Sequence, residues 1–149
     1  MKILKRLFMA FPMIAMMIII FMFSAETGES SGGLSLRIAK AFSHALEGLM
    51  NVDTDVIHLI IRKCAHMTEY AFLYVTVMWA LNGLFGEKIY IYAYLVTCLY
   101  AVTDELHQSF IDGRCGTYKD VIIDGIGALI ALSLYRLHMI NKKRKNNVI

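Results

Sequence analysis

The hydrophobic positions of this chain fall into four long runs that are separated by polar segments. The runs cover about Leu4–Ser24, Ala65–Phe85, Ile89–Phe110 and Val121–Met139. A membrane has a hydrocarbon core about 30 Å thick, and about 20 helical residues are needed to cross it. Each run is close to that length, so the pattern predicts four transmembrane helices.

Between the first two runs, the pattern changes from apolar to polar and then to amphipathic. The sequence ETGESSGGLS after the first run is rich in glycine and serine, which predicts a polar loop. Apolar residues then recur at helical spacing from Leu36 to Met50, with Arg37 and Lys40 on the opposite face. We expect this amphipathic helix to lie on the outer leaflet or to cap the bundle. The next helix is predicted to run unbroken from about Thr54 to Asn82.

Composition agrees with a membrane protein. The chain is 58% hydrophobic and only 18% charged, with a mean hydropathy of +0.56, which argues against both disorder and an ordinary soluble domain. A cleaved signal peptide is the alternative for the first run, but its length and the bulky Phe23 favour an uncleaved anchor helix. We therefore predict one all-α domain over residues 1–149: a polytopic membrane protein with a four-transmembrane-helix bundle and an extracytoplasmic amphipathic helix.

The basic residues predict the orientation of the chain in the membrane. The sequences MKILKRL and NKKRKNN at the two ends are both basic, and basic segments stay on the cytoplasmic side. With four crossings, both termini are cytoplasmic, the Gly86–Lys88 turn is inside, and most acidic residues are outside. We assign the basic tail to contact with anionic lipid rather than with nucleic acid.

Ionisable residues lie at the predicted outer end of the last three apolar runs, where each group forms a stripe on one helix face. Charge at membrane depth costs roughly 2.5 to 3.5 kcal/mol per residue, so such residues predict function. Because the three stripes share one depth, we expect them to form a pocket at the level of the lipid headgroups. The candidate pocket residues are Arg62, Lys63, His66, Glu69, Tyr70, Asp104, Glu105, His107, Gln108, Arg114, Asp120 and Asp124.

Several kinds of chemistry fit these residue types. The basic members Arg62, Lys63 and Arg114 suit a phosphate or carboxylate ligand. The alternative is a purely structural network that sets helix register, with Arg62 paired to an aspartate and His66 to a glutamate. General acid–base catalysis by His66 or His107 is a further alternative, although the sequence shows no activated nucleophile and assigns no catalytic residue.

A metal site is the least favoured of these readings. Metal-ligand residue types occur at helical spacing in two patterns, His66-x-x-Glu69 and Asp104-Glu105-x-His107. The sequence has no zincin motif, and its three cysteines have no Cys-x-x-Cys spacing. We therefore predict neither a metal nor another cofactor.

The polar segments also resemble a known family. FSAETGESSGGLS, RKCAHMTEYAFL, DELHQSFIDGR and KDVIIDGIGALI occur in the order and spacing of the VanZ-like family. The resemblance covers nearly the whole chain, with mild departures at Met67 and Cys115. By position, it carries over the candidate pocket residues together with Gly127.

The family resemblance implies a place in the cell envelope rather than a reaction. The founding member of the family is linked to low-level resistance of Gram-positive bacteria to the glycopeptide teicoplanin. We therefore predict that the chain binds an anionic lipid or lipid-linked cell-wall precursor headgroup, or a glycopeptide, at the outer leaflet, and influences glycopeptide susceptibility. The alternatives are an enzyme that modifies such a headgroup and a membrane assembly partner that associates through the Gly127 face.

Overall fold

The protein is all-helical over the residues that the structure, a computed structural model, describes: 2–46, 53–85 and 89–146. No strand occurs in these ranges, so the all-α prediction is confirmed. The predicted Gly86–Lys88 turn and the predicted end of the amphipathic helix at Met50 lie outside the described residues. The helices are α1 (Lys2–Ser24), α2 (Gly28–Leu46), α3 (Thr54–Phe85), α4 (Tyr90–Gln108) and α5 (Tyr118–Asn146).

Two of the described helices are long and apolar enough to cross a membrane. They are α1 from Arg6 to Ser24, with a mean hydropathy of 2.4, and α5 from Tyr118 to Asn146, with a mean hydropathy of 1.5. In α3 and α4, ionisable and tyrosine side chains within the apolar run lower the mean hydropathy. Composition and length therefore identify two candidate spans among the described residues, where the periodic pattern predicted four.

The central helix is α3, which contacts all four other helices. It runs without interruption from Thr54 to Phe85, which confirms the long helix expected from the sequence. Its buried stripe of Tyr70, Leu73, Tyr74 and Val77 has helical spacing and forms the middle of the hydrophobic core.

Small residues allow the neighbouring helices to approach closely. On α4, the buried Ala93, Thr97 and Ala101 are spaced four residues apart and present one flat face to the bundle. On α5, Gly127 lies so close to the main-chain carbonyl of Met67 on α3 that a Cβ atom there would collide with it. Small residues at helix contacts permit such a close approach, so Gly127 allows α5 to pack directly on α3.

The predicted polar loop after α1 was wrong, because α2 begins at Gly28. Packing against α3 explains the difference. The Ser35 hydroxyl lies 2.8 Å from Nε2 of His58, and Ala39 is completely buried. Such contacts, together with backbone hydrogen bonds made inside the helix, outweigh the weak helix propensity of glycine and serine.

The contact between α3 and α5 predicts unequal effects of two glycine substitutions. Gly127→Ala should lower the free energy of unfolding by about 1 to 3 kcal/mol, because the added methyl group overlaps the Met67 carbonyl. Gly125→Ala is the matched control, since its Cβ would lie 3.6 Å from the Tyr94 hydroxyl, an ordinary contact. Thermal unfolding of both variants in detergent measures the difference, and equal midpoints would contradict the close contact.

Candidate functional site

The centre of the site is Asp124 on α5, whose side chain has no exposed surface. Its Oδ1 atom lies 3.5 Å from Nδ1 of His66 on α3. Neither carboxylate oxygen of Asp124 accepts a hydrogen bond from another described group. A buried carboxylate with one weak contact is unusual, because buried polar groups are normally satisfied.

A second buried carboxylate, Glu105 on α4, faces the same point. Its Oε2 accepts a 2.9 Å hydrogen bond from the main-chain N–H of Thr117, while Oε1 has no partner among the described residues. Gly116 makes this arrangement possible, because a Cβ at that position would collide with the Glu105 carbonyl. Single ligand atoms of His66, Glu105 and Asp124 all lie within 4.8 Å of one another.

The third buried carboxylate is Asp104, which is adjacent to Glu105 in sequence and 4% exposed. Its Oδ2 accepts a 3.0 Å hydrogen bond from Nε2 of Gln108, and its Oδ1 has no partner in the described parts of the chain. Tyr70 on α3 is completely buried close to Asp104 and Asp124. Tyr70 and His66 on α3, Asp104 and Glu105 on α4, and Asp124 on α5 thus form one cluster, which we call the polar layer.

A cavity of about 280 Å³ opens beside this layer. α1, α2, α3, α4 and the α4–α5 connection supply its walls. It is apolar on the sides formed by residues such as Ile20, Phe23 and Ile38. Its ionisable lining consists of Glu26, Arg62, His66, Glu69, Asp104 and Arg114.

Two guanidinium groups share this cavity, and neither has a carboxylate at ion-pair distance among the described residues. Arg114 Nη2 donates a 2.7 Å hydrogen bond to the carbonyl of Phe23, at the end of α1, while its Nε has no partner among described residues. Within the described ranges, no ion pair involves Arg62 or Arg114. Burial and, next, the neighbouring Arg62 lower the pKa of Arg114, so an anion between the two side chains would relieve their repulsion.

The structure separates some predicted pocket residues from the cavity. Lys63 forms a 2.8 Å ion pair with Asp120, away from the cavity lining. His107 stacks on Phe21 of α1, with ring centroids 4.5 Å apart. The pairings anticipated for a structural network are also different, because His66 meets Asp124 and Arg62 meets no described carboxylate at ion-pair distance.

Three polar lining residues were missed from the sequence: Ser24, Glu26 and Ser35. Ser24 is 2% exposed, and its hydroxyl has no hydrogen-bond partner among the described residues. The available signal was the run of small and polar residues directly after the first apolar helix. Glycine and serine in that run favour a loop, so the sequence alone gives no reason to place it near the charged stripes.

Comparison with known proteins identifies the family. Residues 8–140 match VanZ/LLP1. The chain belongs to the VanZ/LLP1 family. No curated protein and no solved structure matches it. VanZ/LLP1 membership and the two apolar helices together indicate a membrane protein. The range that matches the VanZ/LLP1 family also includes every candidate pocket residue.

The ion pair between Lys63 and Asp120 predicts a measurable coupling. Lys63→Met and Asp120→Asn should each lower the free energy of unfolding by up to about 1 kcal/mol, since the pair is partly exposed. The double variant should lose less than the sum, as shown by a double-mutant cycle of thermal unfolding in detergent. Lys119→Met, at the exposed neighbouring position, is the control. Additive losses from Lys63→Met and Asp120→Asn would mean that the pair does not form.

Proposed function

We propose that the cavity binds the headgroup of an anionic lipid, or of a lipid-linked cell-wall precursor, in the outer leaflet. Through this binding, the protein influences susceptibility to glycopeptides such as teicoplanin. The observation that carries the proposal is the presence of Arg62 and Arg114 in the lining of one cavity, without a described carboxylate partner for either. Guanidinium groups bind phosphate through paired N–H donors, and two of them can hold one phosphate.

The acidic lining residues favour a headgroup that also carries hydrogen-bond donors. Glu26 and Glu69 line the same cavity as the arginines. Carboxylates accept hydrogen bonds from hydroxyl or amino groups and repel a second phosphate. A phosphate with attached hydroxyl groups therefore fits better than phosphate alone, and both glycerol headgroups and sugar-bearing wall precursors have this chemistry.

The apolar part of the cavity supports a ligand with a lipid tail. Ile20, Phe23 and Ile38 line it beside the charged groups. Phe23 and Ile38 are more than a third exposed, at 52% and 47%, so this apolar lining continues onto the outer surface of the helices. A lipid could therefore place its headgroup inside and its acyl chains along that surface.

The proposed topology has four crossings, by α1, α3, α4 and α5, with both termini in the cytoplasm. The outward faces of α3 and α4 support it, because they expose large apolar side chains, among them Phe72, Trp79, Leu95 and Leu99. Polar groups of the same helices point inward, as expected for helices surrounded by lipid. We further propose that α1 is retained, since its residues Ile20 and Ser24 form part of the cavity wall.

The alternative functions draw different support from the contacts. An enzyme that uses acid–base chemistry would depend on His66, which lines the cavity and lies 3.5 Å from Asp124. His107 is less suited to this role, since it stacks on Phe21 and is not among the residues that line the cavity. Assembly with another protein through Gly127 is disfavoured, because that glycine is buried against Met67 of the same chain.

Removal of either guanidinium should weaken binding of an anionic lipid. We expect Arg62→Gln and Arg114→Gln each to reduce the affinity for phosphatidylglycerol by about ten- to a hundredfold, since a hydrogen bond to a charged group contributes about 1.5 to 3 kcal/mol. The measurement is lipid titration by native mass spectrometry of the purified full chain. Arg37→Gln, an exposed arginine of α2 outside the cavity lining, is the matched control and should bind like the parent protein.

Two other lipids test which part of the headgroup is bound. Phosphatidylcholine, which has no net charge, should bind weakly to all variants. Phosphatidic acid, which lacks the glycerol hydroxyl groups, should bind less tightly than phosphatidylglycerol. Equal affinity of Arg37→Gln, Arg62→Gln and Arg114→Gln would overturn the proposal. In cells with matched protein levels, Arg62→Gln should remove any effect of the protein on teicoplanin susceptibility, and Arg37→Gln should preserve it.

A further inference from the structure

The polar layer beside the cavity contains more negative groups than its basic neighbours neutralise. Asp104, Glu105 and Asp124 are each at most 4% exposed. His66 is the basic side chain at ion-pair distance from Asp124, and Lys63 pairs instead with Asp120, at the outer end of α5. Buried charge without compensation is strongly unfavourable, so the layer requires either protons or a cation.

We propose that His66, Glu105 and Asp124 form a binding site for one divalent metal ion. The three side chains come from α3, α4 and α5, and they offer one nitrogen and two carboxylate ligands within 4.8 Å of one another. The completely buried Asp124 is the decisive member, because both of its oxygens lack a hydrogen-bond partner among the described residues and one faces His66. Glu105 Oε1 is also without a partner there.

The ligand types indicate the class of metal. One imidazole and two carboxylates suit first-row divalent ions such as Zn²⁺ and Mn²⁺ better than a soft thiolate-seeking ion. Zn²⁺ binds oxygen and nitrogen ligands at about 2.0 to 2.2 Å, which places two ligand atoms of a tetrahedral site about 3.4 Å apart. Side-chain rotations would therefore have to draw together the three ligand atoms, which lie within 4.8 Å of one another. With three protein ligands, a further coordination position would be open for water or another ligand.

Glu105 accepts a hydrogen bond from outside the proposed ligand set, as coordinating carboxylates usually do. Its Oε2 is held by the N–H of Thr117, while Oε1 has no partner among the described residues and is available as a ligand. Hydrogen bonds from outside the ligand set commonly fix the orientation of coordinating carboxylates. The close approach of Gly116 to the Glu105 carbonyl also fixes the α4–α5 connection that supplies this hydrogen bond.

The test is metal binding by the full chain, purified in detergent without a histidine tag or added phospholipid. After chelation and equilibrium dialysis against micromolar MnCl₂ or ZnCl₂, elemental mass spectrometry should find about one ion per chain, as for a single site. Mn²⁺ is the main probe, because the exposed thiols of Cys64 and Cys115 bind it poorly.

Variants show whether the ion occupies this site. Asp124→Asn, Glu105→Gln and His66→Gln should each lower Mn²⁺ affinity at least about tenfold. Asp112→Asn, an exposed aspartate in the α4–α5 connection, is the matched control and should keep parental affinity. Circular dichroism and gel filtration confirm that each variant remains folded.

Two results would overturn the metal proposal. Absence of a stoichiometric ion in the parent protein would mean that the layer holds shared protons, and this result does not depend on any variant folding. Equal Mn²⁺ affinity of Asp112→Asn and Asp124→Asn would place the ion elsewhere. Because metal content is measured without lipid, its outcome is separate from that of the lipid titration.

Discussion

The site depends on the burial of Asp124 against His66. A carboxylate with no exposed surface, 3.5 Å from one imidazole, is costly in a helix bundle unless nearby groups or a ligand compensate it. The close contact of Gly127 with Met67 produces this burial, because Gly127 lies one helical turn after Asp124 and Met67 directly follows His66. The same contact therefore sets both the packing of α5 on α3 and the central pair of the site.

The charged groups divide into two neighbouring regions with different chemistry. Arg62 and Arg114 face a cavity that is open to apolar surface, while Glu105 and Asp124 form a buried layer behind it. His66 belongs to both regions, since it lines the cavity and contacts Asp124. If the cavity binds an anion as we propose, His66 would connect that binding to the protons or the metal held by the buried layer.

Periodicity alone predicted much of this fold. The long α3 helix and the placement of the ionisable residues in one stripe on each of α3, α4 and α5 follow from spacing, because helix geometry fixes which residues share a face. Rotation of each helix about its axis does not follow from spacing. For this reason, the sequence could not show that His107 stacks on Phe21 or that His66 meets Asp124 rather than a glutamate. The helical start of α2 at Gly28 was missed because contacts with α3 outweigh local propensity.

We propose that the site faces the outside of the cell, and the exposed Cys115 beside Arg114 tests this orientation most directly. In a Cys64→Ser, Cys98→Ala background, Cys115 is the remaining thiol of the chain. A membrane-impermeant maleimide should label it in intact cells as completely as in permeabilised cells. Labelling that occurs only after permeabilisation would place the site on the cytoplasmic side and contradict the account.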